Sequence, residues 1–344
     1  MGLLLALLAW HTGSAYVPDQ GLRSGAIFPA YVGSVLLAWL LLLPWLQLAG
    51  QQPPWPYAQL FWAWWDNLLS LLTALLFTLL AWLILWLGAA LFAVIGFDFF
   101  EDLLQEELFI FPASGLMVGF GLTVGRSYLG VMREGLRICL GLATLLLPLQ
   151  ALISLFFCAF LLAGTIAALW QTGRAAALLL GLVAVGLALL KGVYQAGERP
   201  RLQATPWRQM VLLGSLSWPI FIGLGAYALC LRVEQYGWTV DRFHGLLAIL
   251  ALGTLAMGVA ASALADLRGK GYWPALAALQ RYWGLGLGLI LLLSQSPLLD
   301  FRALSARSQV QQFEQRLSSY DLNHLRFALG RPGLEAVQYS TRFV

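Results

Sequence analysis

Three charged side chains stand out around a short turn, in the stretch RVEQYGWTVDRF that begins at Arg232. Arg232, Glu234 and Arg242 lie here between two long apolar runs, in a chain of which only 10% of residues are charged. Paired arginines can hold a phosphate or a carboxylate through two parallel hydrogen bonds. The acceptor would be either a lipid headgroup or an acid of the C-terminal tail, such as Asp321 or Glu335.

The remainder of this stretch predicts a tight helical hairpin. We expect Gly237 to be the left-handed residue that ends one helix and Thr239 to be the N-cap of the next. Asp241 is well placed near the positive terminus of that second helix. Tyr236 and Trp238 are of the aromatic types that are enriched where membrane meets water. A hairpin therefore accounts for most of the motif and leaves two interpretations of the arginines, structural pairing and ligand binding.

Other residues that could bind a metal or a cofactor form no recognisable pattern. The three histidines, His11, His244 and His324, have no second histidine or cysteine at metal-ligand spacing. The three cysteines lie in apolar segments, where a thiol behaves as a small hydrophobe. Phosphate-binding loops, dinucleotide fingerprints and nucleophile elbows are absent from the sequence. We predict no cofactor and no metal, and we lean against an enzyme.

An acidic run, FDFFEDLLQEEL, is open to two interpretations. Its carboxylates could recruit a divalent cation, since hard cations prefer oxygen ligands. The same spacing is typical of an amphipathic helix lying at the membrane surface with its phenylalanines and leucines in lipid, and we favour this second interpretation. The acidic residues concerned are Asp98, Glu101, Asp102, Glu106 and Glu107.

The composition is that of an integral membrane protein. Of its 344 residues, 60% are hydrophobic. Only 10% are charged, against roughly 25% in a soluble domain. The net charge of +4 is spread through loops and tail without a basic stripe, so we predict no nucleic-acid partner. The lipid bilayer is the expected partner.

A bilayer core is crossed by about 20 apolar residues, and this rule predicts an all-α bundle of about eight transmembrane helices between residues 27 and 298. The third span is rich in glycine and has Pro112 near its start, so it either crosses fully or is re-entrant; Gly115 and Gly119 have the spacing of close helix packing. Pro148 and Pro219 are expected to kink their helices. The spans are expected at 27–49, 68–96, 108–125, 137–163, 175–194, 210–231, 244–266 and 281–298.

Ionisable side chains are missing from the centres of these predicted spans. Lys191, Asp266 and Arg281 lie at span ends, where we expect them to snorkel toward the surface. Proton- or ion-coupled carriers normally place ionisable groups inside the membrane. The sequence therefore disfavours an ion-coupled carrier.

Basic residues alternate between connecting segments and predict the orientation. One set of loops is rich in basic residues, with Arg133, Arg208 and Arg268 among them, while the alternate set is poor in them. Positive-inside bias places the rich set in the cytoplasm. By parity the 232–243 hairpin and the tail, residues 299–344, lie on the outer side of the membrane.

The two ends of the chain differ from the central bundle. Residues 1–26 hold an apolar stretch half as long as a bilayer requires, which is either a half-inserted helix or the remnant of a longer span. The tail is polar, and apolar residues such as Leu304 and Val310 predict short amphipathic helices with Ser305 and Ser319 as caps. We expect this small helical extramembrane tail to pack on its own protein.

Several separated motifs resemble one family of bacterial inner-membrane proteins, the domain of unknown function 4153. The resemblance rests on QYGWTVDRF, SPLLDFRALSARSQV and DLNHLRFALGRPGLEAV, and extends through LLLPLQALI and LWQTGRAAALLL, from about residue 68 to residue 338. It implies a location and a topology, and no established activity. The resemblance also directs attention to a set of polar residues in the hairpin and tail. They are Arg232, Tyr236, Gly237, Thr239, Arg242, Asp300, Arg302, Ser308, Gln309, Asp321, Arg326, Gly330, Arg331 and Gly333.

These observations lead to three functional hypotheses. The first is a non-enzymatic envelope scaffold or sensor whose hairpin and tail form one periplasmic polar cap that binds an envelope protein or a lipid headgroup. The second is a transporter or flippase of a neutral or lipid-like substrate. The third is a membrane enzyme that acts on lipid headgroups, although no spacing of Ser, Asp and Glu singles out its catalytic residues.

Overall fold

The computed structural model describes residues 10–11, 13–14, 27–51, 55–162, 175–195, 205–268, 273–316, 331–333 and 335. The elements formed by these residues are all helical, which confirms the predicted all-α class. They are α1 (Ile27–Gln47), α2 (Tyr57–Val94), α3 (Phe99–Gln105), α4 (Glu107–Ser127), α5 (Leu129–Leu162), α6 (Ala175–Tyr194), α7 (Thr205–Leu216), α8 (Trp218–Tyr236), α9 (Val240–Leu267), α10 (Trp273–Leu293), a 3₁₀ turn (Pro297–Leu299) and α11 (Phe301–Arg316).

Seven helical segments of the described chain are long and apolar enough to cross a membrane, and α7 and α8 together count as one of them. The protein is therefore a multi-pass membrane protein. The predicted first span corresponds to α1, whose apolar part, Tyr31–Gln47, is shorter than the other seven. The third predicted span, the least certain by sequence, is a continuous helix of 21 residues and about 30 Å, in spite of Pro112.

The chain divides into two compact units. The first comprises residues 1–57 and 143–344, and the second comprises residues 58–142. In the first unit, α8 packs against α6 and α9, and α10 packs against α9 and α1. Its core contains fully buried Trp218 and Phe221 of α8, together with Val183 of α6 and Val259 of α9.

The second unit contains a close approach of α4 to α2. A Cβ atom placed on Gly121 would lie 2.6 Å from the Ala74 Cα atom, and one on Gly125 would lie 3.0 Å from the Ser70 Cα atom. The predicted pair, Gly115 and Gly119, faces open space within 4 Å. The close contact is therefore made by Gly121 and Gly125, which also have G-x-x-x-G spacing, and not by Gly115 and Gly119. Several glycines share this segment, and their spacing alone does not say which pair contacts the neighbouring helix.

The predicted kink at Pro219 falls at a break between two helices. The expected span 210–231 is broken at Ser217, and Pro219 lies in the first turn of α8. Proline is tolerated there because the first N–H groups of a helix have no intrahelical acceptor. Pro148, in contrast, lies inside α5, which continues on both sides of it.

The acidic run forms the seven-residue helix α3 and the start of α4. Phe92, Phe97, Phe99 and Phe100 make a cluster of ring contacts with centroids 4.8 to 6.3 Å apart. Carboxylates and aromatic rings therefore share one short helix, which agrees with the amphipathic interpretation. Among the described residues, no three His, Cys, Asp or Glu side chains come together as a metal site.

Candidate functional site

The turn between α8 and α9 forms as its residue types predict. Gly237 has φ +71° and ψ −176°, a conformation that is essentially restricted to glycine, and its N–H donates to the Val233 carbonyl. Thr239 caps α9, since its side-chain oxygen accepts a hydrogen bond from the Arg242 N–H. Glycine and threonine therefore fix the path of the chain through the hairpin.

Helix α11 is fastened to this turn through the backbone of residues 236–238. The Trp238 N–H donates to Ser308 Oγ at 3.0 Å, and the Ser305 hydroxyl donates to the Trp238 carbonyl at 3.2 Å. The Gln309 amide donates to the carbonyls of Tyr236 and Trp238 at 3.0 and 3.1 Å. We call these contacts of Ser305, Ser308 and Gln309 with residues 236–238 the latch.

A column of stacked rings runs beside the latch. Trp238 stacks on Phe243 with centroids 4.6 Å apart, and Phe243 stacks on Phe301 with centroids 4.8 Å apart and planes 3° from parallel. His244 meets Phe301 edge-on at 5.8 Å. Aromatic pairs contribute about 0.5–1.5 kcal/mol beyond their burial, so the column adds to the stability of α11 on the hairpin.

The first turn of α11 is capped by Asp300. Its Oδ1 atom accepts from the N–H groups of Arg302 and Ala303 at 2.9 and 3.2 Å, and its Oδ2 atom lies 3.5 Å from His11 Nε2. Burial lowers the pKa of the Arg302 guanidinium from its ordinary value, and the neighbouring Asp300 carboxylate opposes this shift. Asp300 thus both starts α11 and approaches a residue near the start of the chain.

The expected role of Ser305 as a helix cap is wrong. Ser305 lies in the second turn of α11, is fully buried, and uses its hydroxyl for the latch. The predicted apolar stripe is also displaced, because Leu304 is 38% exposed, while Phe301, Ser305, Ser308 and Gln309 form the contacting face. Their i, i+4, i+7, i+8 spacing is a helical signal carried by two serines and a glutamine instead of apolar residues, and Ser308 and Gln309 belong to the set to which the family resemblance points.

Arg242 of the hairpin has its partners inside the turn, and Glu335 of the tail has its partner inside the tail. Arg242 donates to the Gly237 carbonyl, and its guanidinium stands 5.6 Å from the centre of the Tyr236 ring. Glu335 instead pairs with Arg331 at 3.1 Å. Arg232 and Glu234 are exposed at the end of α8. Asp321, Arg326 and Gly330 of the predicted set, together with Ser319, lie outside the described residues.

Ionisable side chains lie deeper among the helices than the predicted span limits imply. At the end of α9 opposite the hairpin, the side chain of Asp266 is 4% exposed and accepts from Arg208. Lys191 Nζ lies 5.1 Å from the centre of the Trp283 ring. Asp266 therefore does not snorkel as expected, because its carboxylate finds a guanidinium partner inside the bundle, and the Lys191 ammonium reaches an aromatic face instead of the surface.

The second unit holds a further ion pair within its helices. Arg133 Nε donates to Asp66 Oδ1 at 2.6 Å, and a second bond joins the same two side chains. Arg133 and Arg137 lie 5.9 and 5.1 Å from the centre of the Trp62 ring. The sequence places Arg133 in a loop before the predicted span 137–163, but α5 begins at Leu129, so Arg133 lies on its second turn.

The comparisons with known proteins agree with the motif resemblance. The family model described as domain of unknown function (DUF4153) matches residues 1–338, which extends the resemblance to the first residue. Neither a curated protein nor a solved structure matches the chain. With helices that can cross a membrane seven times and a family match over nearly its whole length, the chain belongs to the DUF4153 family.

Proposed function

We propose that this protein is a non-enzymatic scaffold or sensor of the bacterial inner membrane. In this proposal the α8–α9 hairpin and α11 form one polar cap on the periplasmic side, and the cap engages an envelope partner. The observation that carries the proposal is the latch. Three side chains of α11 make hydrogen bonds with the backbone of residues 236–238, so the position of α11 depends on the conformation of the turn.

The outer surface of the polar cap supports a role in binding. Tyr236 is 62% exposed, and Arg232 lies one turn before it on α8. Leu304 and Arg307 are exposed on α11. Tyrosine and arginine are enriched among the residues that dominate protein–protein binding energy. The contacting face of α11 is used by the latch, which leaves Tyr236 of α8 and Leu304 and Arg307 of α11 on the outer surface.

The distribution of charge supports the periplasmic side. Arg208 and Arg268 lie near the end of α9 opposite the hairpin, and Lys191 lies in the last turns of α6. Basic residues concentrate on the cytoplasmic side of membrane proteins. The polar cap is at the other end of α9, so the same rule supports its periplasmic exposure.

The experiment that tests this proposal is photocrosslinking in living bacteria with a benzophenone amino acid. The reactive residue replaces Tyr236 at the polar cap or, as the matched control, Tyr227, which is 54% exposed two and a half turns earlier on α8. We expect a discrete protein adduct from position 236 alone. We also expect Gln309→Ala to reduce that adduct, since it removes the donor to two turn carbonyls.

Two results would contradict the proposal. Identical adduct patterns from positions 236 and 227 would mean that the polar cap has no dedicated partner. An adduct at position 236 that is unaffected by loss of the latch, with α11 shown to be displaced, would mean that α11 is not part of the binding surface.

A carrier for a neutral or lipid-like substrate is the second candidate, and one cavity favours it. A groove of about 410 Å³ runs between α9 and α10, with Leu250, Thr254, Leu279 and Tyr282 in its almost wholly apolar wall. Such a surface suits a hydrocarbon chain. Reconstituted vesicles with fluorescent lipids would show accelerated scrambling if the groove is a transport path. Unchanged scrambling across a panel of headgroups would reject this candidate.

A further inference from the structure

A group of polar side chains lies in the apolar core of the first unit, among α5, α6 and α8. Gln150 and Ser154 of α5 and Trp218 of α8 are 5%, 0% and 1% exposed. The Gln150 Nε2 atom donates to Ser154 Oγ at 3.0 Å and to the Leu182 carbonyl of α6 at 3.2 Å. The Gln150 amide therefore joins α5 to α6 inside the core.

Two buried atoms of this group have no hydrogen-bond partner within the protein. They are the Gln150 Oε1 atom, an acceptor, and the Trp218 Nε1 atom, a donor. The orientation of the Gln150 amide is set by Leu182, because a carbonyl can only accept and the NH₂ group must face it. Buried polar groups of native proteins are almost always satisfied, so both atoms call for a partner.

Gly186 of α6 brings the donor and the acceptor to one place in the core. A Cβ atom added to Gly186 would lie 2.8 Å from Gln150 Nε2 and 2.9 Å from Trp218 Cε2, the ring carbon bonded to Nε1. Both side chains therefore pack directly on the backbone of this residue. A side chain at position 186 would prevent that approach.

The same place adjoins the break between α7 and α8. Trp218 is the first residue of α8, and Pro219 has no N–H to donate to the Ser215 carbonyl. The buried hydroxyls of Ser215 and Ser217 each donate to a backbone carbonyl of α7, at 2.7 and 2.6 Å. In membrane-spanning helices, serine side chains and ordered water molecules satisfy the backbone groups that proline leaves without a partner. The break thus already has the serines of such a helix.

We infer that Gln150 and Trp218 bind one buried water molecule, which links α5, α6 and α8. The water oxygen accepts from Trp218 Nε1, and one of its O–H groups donates to Gln150 Oε1. An ion would need a group of opposite charge, and both side chains are neutral. Water is the smallest neutral molecule that both donates and accepts, and the close packing around Gly186 favours it over a larger solute.

This water site is independent of the polar cap. Trp218 begins α8, whereas the latch contacts residues 236–238 at the other end of the same helix. The bound water attaches the start of α8 to α5 and α6, where the helix is interrupted and its own backbone gives it least support. Failure of either proposal therefore leaves the other standing.

Radiolytic labelling of the detergent-purified full chain tests for the water. Short X-ray pulses split water into hydroxyl radicals that oxidise neighbouring side chains, and mass spectrometry locates the products. Trp218 should be oxidised although it is 1% exposed, whereas Phe221, fully buried one turn later, should not. Each yield is compared with that of the same residue in the denatured chain, because the two ring types differ in reactivity. Trp218 oxidation no greater than that of Phe221 would overturn the inference.

Gln150→Met removes the acceptor and keeps a side chain of similar volume. It should lower Trp218 oxidation to the level of Phe221. Gln280→Met is the matched control, because Gln280 of α10 is 3% exposed and accepts from Tyr57 instead, so Trp218 oxidation should stay unchanged. Undiminished oxidation in Gln150→Met, or an equal loss in both variants, would refute the assigned acceptor.

The Trp218 donor is tested with benzothienylalanine, an isostere that has sulfur in place of the indole N–H. In the native background this replacement should lower the Tm, because the water loses a partner. In the Gln150→Met background it should raise the Tm, because it removes a buried donor that has lost its water. A change of the same sign in both backgrounds would overturn the inference. If Gln150→Met fails to fold, labelling of the native chain still decides.

Discussion

Replacement of Gly237 by alanine should release α11 from the hairpin while the transmembrane helices stay folded. Gly237 has a positive φ with an extended ψ, a conformation in which a Cβ atom is strained. The next residue, Trp238, carries two of the backbone groups used by the latch. Relaxing the strain means rotating these groups away from Ser305 and Ser308.

The size of the effect follows from this geometry. Holding a side-chain-bearing residue in such a conformation costs of order 1–3 kcal/mol. The strain is present while the latch is closed and is relieved when the latch opens. The free energy of opening therefore falls by the same amount. This corresponds to a change of about 5- to 150-fold. The latch has four hydrogen bonds, each worth about 0.5–1.5 kcal/mol, so the upper part of this range approaches the strength of the latch itself.

Amide hydrogen exchange over residues 301–316 measures this opening in the detergent-solubilised protein. The Gly237→Ala variant should lose protection in this helix about 5- to 150-fold and keep it in α9. Gly96→Ala is the matched control, because Gly96 also has a positive φ, +81°, with open space around its missing Cβ atom. Unchanged exchange of α11 in a folded Gly237→Ala protein would refute the idea that the turn conformation controls the latch.

Three further substitutions test individual contacts. Gln309→Ala should increase α11 exchange about 5- to 150-fold, because it removes two hydrogen bonds worth about 1–3 kcal/mol together, whereas Gln311→Ala on the exposed side should not; equal effects would contradict the assigned face. Gly121→Ala should lower the Tm because its Cβ would meet α2 backbone, while Gly119→Ala should leave the Tm equal or higher, since alanine is the better helix former; a reversed order would disprove the α2–α4 approach. Arg133→Lys should lower the Tm despite keeping the charge, because lysine cannot make the two-bond pair; an unchanged Tm would show that the pair adds nothing.

The helical architecture was predictable because hydrocarbon thickness sets a minimum run of apolar residues. That rule locates some spans closely, since the predicted span 175–194 has the same bounds as helix α6. It locates their ends poorly, since helices continue beyond the apolar run wherever polar side chains find partners. Asp66 was excluded from the second span for this reason, although it lies inside α2 and is paired with Arg133.

The hairpin was predictable for a different reason. Gly237 and Thr239 act through their own backbone and their immediate neighbours, so their roles are visible in a few consecutive letters. The latch joins residues about 70 positions apart, and no local rule pairs Ser308 with Trp238. Polar side chains that bond to a distant backbone leave no complementary charge in the sequence, so charge patterns do not reveal their partners. The family resemblance points to Ser308 and Gln309 but assigns neither of them a partner.

The four latch contacts are hydrogen bonds between neutral groups, and this affects how the proposed polar cap would respond to its surroundings. Ion pairs between surface helices weaken with salt, whereas hydrogen bonds to a backbone of fixed shape depend on that shape. Anything that moves Trp238 changes both its N–H and its carbonyl, and therefore two latch contacts at once. Arg242 supports the same turn, since its guanidinium donates to the Gly237 carbonyl. In the proposed sensor, Trp238 is therefore the residue through which a change at the turn would reach α11.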